Sequence, residues 1–334
     1  MPRSHIAVSL LLCRLALPAE NPIAEIQSLR AQGKLDEAAA LSVSALRLST
    51  PAPALAPRLW NEYGIVLEQQ REFFASENAF KRSIDLWRSA EGDASLNLTW
   101  PLDNLGSLYY SAGLFAKSEE CRARALSIRR TALGEHNRDV ARTQQNLAAV
   151  YVAQGRDAQA QALFEQSLVS LDRLPNVETD RACIRNNLGV LCLKHNRNQD
   201  ALIHFIAAVD ALSGRPGPRD GESDATGDAT PESRDPLILI HPLENLGLTY
   251  LFLKDASRAQ VFLKRAVDLC TLRLGAESAE TGRILETYSS ALRSLHRRAE
   301  ARDALRRAHH IARAQRRQDP KTLLIDVRDA LRQP

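Results

Sequence analysis

Small residues recur along this 334-residue chain at a nearly constant interval. Gly64, Gly106, Ala148, Gly189, Gly247 and Ser289 are separated by 42, 42, 41, 58 and 42 positions. Each sits in a related word: NEYGIVL, NLGSLYY, NLAAVYV, NNLGVLC, NLGLTYL and TYSSALR. The word varies while its spacing holds, so the spacing is architectural. A period of this size confines the chain to a solenoid, because no single unit can bury its own apolar face and each must stack on the next. A further copy fits at the front, IQSLRAQGKLDEAAALSVSAL, with Ile26 in the marker position. The interval of 58 contains an insertion over residues 212 to 236, rich in Gly, Pro and Asp, which reads as a flexible loop. Seven units then tile residues 21 to about 317.

Within a unit the apolar spacing is helical. Leu102, Leu105, Gly106 and Tyr109 form one stripe, Gly113 interrupts, and Ala125, Leu126 and Ile128 form a second. Each unit is therefore expected to be two amphipathic helices joined by a short turn. Small residues return twelve positions after the marker (Ser76, Ser118, Ala160, Ala201, Ala259, Ala301), allowing two backbones to approach closely. A third small or apolar position follows seven later, at Ser83, Ala125, Ser167, Ala208, Ala266 and Ala308.

This phasing resembles the tetratricopeptide repeat family, with its apolar, small, aromatic, then Ala, aromatic, Ala pattern. The family unit is about 34 residues, so about eight extra residues here add roughly two helical turns. The connecting stretches TALGEHNRDVARTQQNLA and LRLGAESAETGRILETYS resemble the linkers of kinesin-light-chain-like repeats. Lys254 and His296 stand where the turn glycine is expected, and Arg122 where the second-helix aromatic is expected. The resemblance implies an all-α, right-handed superhelical solenoid of about seven helix-turn-helix repeats. Residues 1–20 would precede it as a leader, and residues 318–334 would follow as a capping helix or tail.

Composition fits one elongated helical body: 44% of residues are apolar but only 5% aromatic, suiting thin layers filled by Leu and Ala. The net charge of +4 gives no general argument for nucleic acid. Cys13, Cys121, Cys183, Cys192 and Cys270 show neither a CxxC pair nor a zinc spacing, so they read as small packed apolar residues. The leader MPRSHIAVSLLLCRLALPAE has a basic start, an apolar run and Ala19 before Glu20, the order of a secretory signal. Export, for instance to a periplasm, is the expectation; a cytoplasmic protein with an extra N-terminal helix is the other reading. The leader is too short and interrupted to span a bilayer, and no transmembrane segment is expected.

The asparagines of the repeated word fall beside the core stripe. Asn104, Asn146, Asn187 and Asn245 occupy an edge of the first helices that turns away from the partner helix. A carboxamide both donates and accepts, which suits pairing with the backbone of an extended peptide. The resemblance implies that this position lines a peptide groove; bracing of the neighbouring unit is the competing role, and the two are compatible. Arg142, Lys194 and Arg283 would favour acidic ligand groups, and Trp100, Tyr110, Leu248 and Phe252 apolar ones.

The last unit carries nine arginines between Arg293 and Arg317. A terminal repeat needs a polar outer face, so capping is the first reading; docking to nucleic acid or an anionic membrane surface is the second. The insertion has six carboxylates but no Asp-x-Asp-x-Asp spacing, so no metal site is expected there. The sequence holds no phosphate loop, HExxH, GxSxG or dinucleotide fingerprint. The expectation is a non-catalytic scaffold that needs no cofactor and binds a protein or peptide. The alternative is an adaptor working through the arginine-rich end.

Overall fold

The computed structural model describes residues 21–48, 54–213 and 236–318. Among them are fourteen α-helices, one short 3-10 turn (Leu96–Leu98) and no strand. The helices pair as seven units: α1 (Pro22–Ala31) with α2 (Leu35–Leu48), α3 (Leu55–Gln69) with α4 (Phe73–Glu91), α5 (Thr99–Ser111) with α6 (Phe115–Leu133), and α7 (Arg138–Ala153) with α8 (Asp157–Ser170). Then come α9 (Glu178–Lys194) with α10 (Asn198–Ser213), α11 (Pro236–Phe252) with α12 (Ala256–Leu274), and α13 (Ala279–Ser294) with α14 (Arg298–Gln318). The chain is an all-α helical-repeat solenoid.

The small marker residue fixes how each pair packs. A Cβ placed on Gly64 would lie 2.6 Å from Phe80, and one on Gly189 would lie 2.6 Å from Phe205. On Gly247 it would lie 2.5 Å from Leu263. These partners stand sixteen residues after their glycines, and all three are fully buried. A methyl group there would force the helices apart, at a cost of about 1–3 kcal/mol. The small residue twelve positions after the marker closes the same contact. Ser76 donates to the Gly64 carbonyl at 2.8 Å, and Ser118 to the Gly106 carbonyl at 2.7 Å.

The linkers work as punctuation. Gly134 ends α6 at φ 79°, and Asn137 caps α7 by accepting from the Asp139 amide at 2.8 Å. Gly275 ends α12 and Ser278 caps α13 in the same way. Within every unit the turn carries one left-handed residue seven positions after the marker: Gly33, Arg71, Gly113, Gly155, Asn196, Lys254 and His296. The positions without glycine adopt the glycine conformation anyway, held by backbone bonds such as Asp255 N–H to Tyr250 O at 2.9 Å.

By their contacts the helices group into two compact units, Met1–Gln166 and Ser167–Pro334, divided within α8. The sequence suggests one continuous body and gives no hint of this division. In the first unit successive helices α1 to α7 pack on one another, and Leu163 of α8 joins the cluster of Leu126, Val140 and Leu147. In the second a single core runs from Ala182 to Ile311 and includes Phe205, Leu243, Leu263 and Ile284. The expected insertion is shorter than its composition suggested: Leu212 and Ser213 complete α10, and Pro236 begins α11. Residues 214–235, the leader with Cys13, and residues 319–334 lie outside the described residues. Cys121, Cys192 and Cys270 are buried, Cys183 is half-buried, and none of the four forms a disulfide.

Two predictions follow from this packing. Lys254→Gly removes left-handed strain of about 1–2 kcal/mol but frees the unfolded chain, so a net gain of up to about 1 kcal/mol is expected in urea denaturation. A loss would show that the lysine side chain supports the turn. Asp210, on α10, is half-buried, and burial pushes its carboxyl up to about 6. The folded state then holds the proton more tightly than the unfolded chain. This group's contribution is most favourable below about pH 4 and worsens as the pH rises through about 6. Asp210→Asn should therefore raise the melting temperature more at pH 7.5 than at pH 4.5; an equal change at both would contradict the assignment.

Candidate functional site

First helices of consecutive repeats lie side by side: α1 on α3 and α3 on α5 in one unit, α9 on α11 and α11 on α13 in the other. Their seams are polar. Gln27 and Arg30 of α1 donate to Glu62 of α3 at 2.9 and 2.8 Å. Asn104 of α5 donates its amide to the Asn61 carbonyl oxygen at 2.9 Å. Asn245 of α11 does the same to Asn186 of α9, also at 2.9 Å. Two of the four candidate asparagines thus brace the preceding repeat, with the partner one position earlier in the neighbouring copy of the word. Asn146 and Asn187 are half-buried and have no side-chain hydrogen-bond partner among the described residues.

The candidate cations differ in exposure. Arg142 is exposed on α7 and pairs with Asp139 at 2.9 Å, one turn earlier. Lys194 is exposed at the C-terminal end of α9, where the helix dipole favours a positive side chain. Arg283 is committed internally: its two terminal nitrogens donate to both oxygens of Glu244 at 2.5 Å, and one also reaches Glu280. The expectation that Arg283 serves a ligand is therefore corrected, because this fork–fork pairing uses the geometry a carboxylate ligand would need. Burial pushes the Glu244 carboxyl up, and Arg283 pulls against that shift. His241, Glu244 and Glu280 place possible metal-ligand atoms within 4.8 Å of one another, but Arg283 already bridges the two carboxylates.

Apolar candidates Trp100 and Tyr110 are exposed on α5, and Phe252 is exposed on α11; Leu248 is half-buried. On α5 the stripe of Trp100, Asp103, Ser107 and Tyr110 runs at helical spacing. Beneath it lie two buried arginines. Arg129, 2% exposed, pairs with Asp103 at 2.6 Å and with Thr143 of α7. Arg122, 6% exposed, passes its stem over Gly106, with Cγ 3.1 Å from where a Cβ would stand. Its guanidinium donates to Ser118 at 3.3 Å and to Ser107 at 3.2 Å. The pairing of Arg129 was not legible in sequence, because Asp103 and Thr143 lie on two other helices.

On α14, Ala301, Ala304, Ala308 and Ile311 are buried, while Arg298, Arg302, Arg306 and Arg307 are exposed. Arg297 and Arg306 pair with Glu300 and Asp303 on the same helix at 2.6 and 2.8 Å. Among the described residues no helix is long and apolar enough to cross a membrane.

Two tetratricopeptide repeat family models match the sequence, over residues 101–168 and 240–270. With the helix-turn-helix units around them, these matches make the chain a tetratricopeptide repeat protein. Its fold is similar to that of BtubC (BKLC) from P. vanneervenii, with a TM-score of 0.60 and 21% identity over 72% of this chain and 92% of that one. It is similar also to the apo form of the quorum sensor NprR from B. thuringiensis, with a TM-score of 0.57 and 11% identity over 87% and 86% of the two chains. Kinesin-light-chain-like repeats from Podosopora anserina give a TM-score of 0.51 and 18% identity over 68% and 99%. At these identities the likeness is one of fold. No curated protein matches the sequence.

The paired and unpaired asparagines should behave differently on mutation. Asn104→Ala removes a half-buried hydrogen bond and leaves Asn61 without its donor, at an expected cost of about 1 kcal/mol in chemical denaturation. Asn146→Ala should cost less than about 0.5 kcal/mol. Equal losses would mean that Asn146 also braces the fold.

Proposed function

We propose that this chain is a non-catalytic scaffold that binds extended segments of a partner protein along the first helices of each of its two units. The observation that carries this reading is the state of Asn146 and Asn187. Each is a half-buried carboxamide in the repeated word, with donor and acceptor capacity that the described residues leave unused. In each unit, exposed aromatic residues accompany the asparagines: Trp100 and Tyr110 in the first, Phe252 in the second. Aromatic side chains on a polar surface supply contact area at low entropic cost, and carboxamides can hold a backbone without reading its side chains. The repeat family and the helical-repeat fold support a protein-interaction scaffold; the choice of partner lies in the side chains of these faces.

The test is selection of peptides by the full chain from a phage-displayed random library. Peptides obtained in this way should divide into those that bind Asn146→Ala and those that bind Asn187→Ala about fivefold more weakly, the equivalent of about one net hydrogen bond, with the melting temperature nearly unchanged. If the chain selects no peptide but binds duplex DNA or anionic vesicles with a steep salt dependence, and Gln substitution of Arg298, Arg302, Arg306 and Arg307 abolishes that binding, the scaffold reading gives way to the arginine-rich adaptor.

A further inference from the structure

The outer face of α10 departs from the pattern of the other second helices. At positions 14, 17, 18 and 21 after the marker, α4 carries Asn78, Lys81, Arg82 and Asp85, all exposed. On α10 the same positions are Ile203, Ile206, Ala207 and Asp210. Ile203 is 64% exposed, and the other three are half-buried. The inner face, with Phe205, Ala208, Val209 and Leu212, lies in the core. α10 is thus apolar on both sides, whereas a surface helix ordinarily keeps its outer side polar. The next second helix adds Val261, 43% exposed at the position equivalent to Ile203.

The carboxylate at the end of this strip is also exceptional. Asp85 on α4 and Asp268 on α12 occupy the equivalent position, and each pairs with a cation one turn away on its own helix. Arg88 lies 3.4 Å from Asp85, and Lys264 pairs with Asp268. One turn from Asp210 stand Ile206, Ala207 and Ser213, none of them a cation. No hydrogen bond or ion pair reaches its side chain among the described residues. Burial pushes this carboxyl up, with no cation pulling against the shift. A half-buried charge without a partner and an apolar strip in water both cost stability. The two costs fall on one face of one helix, and a single occupant relieves both.

We propose that the outer face of α10 docks a helix of a partner protein, which lays apolar side chains over Ile203 and Ala207 and sets a lysine or arginine on Asp210. The strip repeats the i, i+3, i+4, i+7 spacing of Phe205, Ala208, Val209 and Leu212, with which the inner face packs against its neighbours. Ala207 at its centre leaves room for close approach. Ile203 and Asp210 are about 10 Å apart along the helix axis, so the partner helix needs at least two turns with its cation and apolar groups on one side. The sign of Asp210 selects a basic helix over an acidic one or an anionic surface. This site lies on a second helix and is independent of the first-helix binding proposed above.

The test uses the full chain and a phage-displayed library of a small helical-bundle scaffold with one helix face randomised. Clones that bind the wild type are depleted on the double variant Ile203→Ser with Asp210→Asn. The clones that remain should carry Lys or Arg on the randomised face. Changing that cation to Gln should weaken binding to the wild type about fivefold, and binding to Asp210→Asn by less than about twofold. Ile203→Ser should weaken binding about tenfold, while Asn146→Ala and Asn187→Ala should change it by less than about twofold. Circular dichroism should show the helicity of each variant unchanged, because the replaced groups stand at the surface. If no clone survives depletion, if the survivors need no cation, or if they keep that need on Asp210→Asn, the docking site is refuted and the first-helix reading is untouched. A dimer in analytical ultracentrifugation that Ile203→Ser converts to monomer would assign this face to a second copy and overturn the proposal as well.

Discussion

The contact between a small residue on each first helix and the large side chain sixteen positions later sets the geometry on which the other contacts depend. It decides how closely the two helices of a unit approach, and so which stripe of each helix is core and which is left for neighbours. Gly64 against Phe80 and Gly189 against Phe205 leave no room for even a methyl group. Such contacts gain little per atom pair but much in sum, and they tolerate no drift in register. The serine hydroxyls that bond back to Gly64 and Gly106 carbonyls turn close approach into a directional constraint. With each pair locked in this way, stacking of one unit on the next becomes a repetition of a single solution, which is why a near-constant interval survives while the words themselves diverge.

The seams between first helices follow a different logic. Half-buried polar groups must find partners or bear the loss of hydration. Asn61 with Asn104, Asn186 with Asn245, and Glu244 with Arg283 meet that demand inside the protein. Asn146 and Asn187 do not, among the described residues. One structural position therefore serves two ends along the chain: stacking where the neighbouring side chain reciprocates, and an unfilled capacity where it does not. Charge is divided similarly: Arg283 and Arg129 pair with carboxylates of other helices, Arg142 pairs with Asp139 of its own helix, and Lys194 lies at the surface.

Much of this was legible in the sequence, because a period needs only spacing. The helix pairs, the small positions and the Leu-Gly linkers all followed from intervals between residue types, and the helices fall where those intervals put them. The partners of the asparagines were not legible. Whether Asn104 meets Asn61 depends on the offset between neighbouring helices, which no single unit encodes. Arg283 looked free because Glu244 lies 39 residues earlier, on another helix. The turns were misleading in another way: Lys254 and His296 suggested irregular geometry, yet they take the same left-handed conformation as Gly113. Backbone bonds across the turn, together with helix packing, override the local preference. The division within α8 is a property of contact density and leaves no mark in the repeat spacing.

The junction between α10 and α11 carries a practical consequence. Val209 and Leu212 near the end of α10 share one core with Leu239 and Leu243 near the start of α11, as in the junctions that have no insertion. The two helices are held together by these side chains on either side of residues 214–235. Closure entropy grows only slowly with length. This junction is thus a natural splice point for a fluorescent reporter or an affinity handle, one that would label the repeat array in mid-chain while leaving both ends and the first-helix faces untouched.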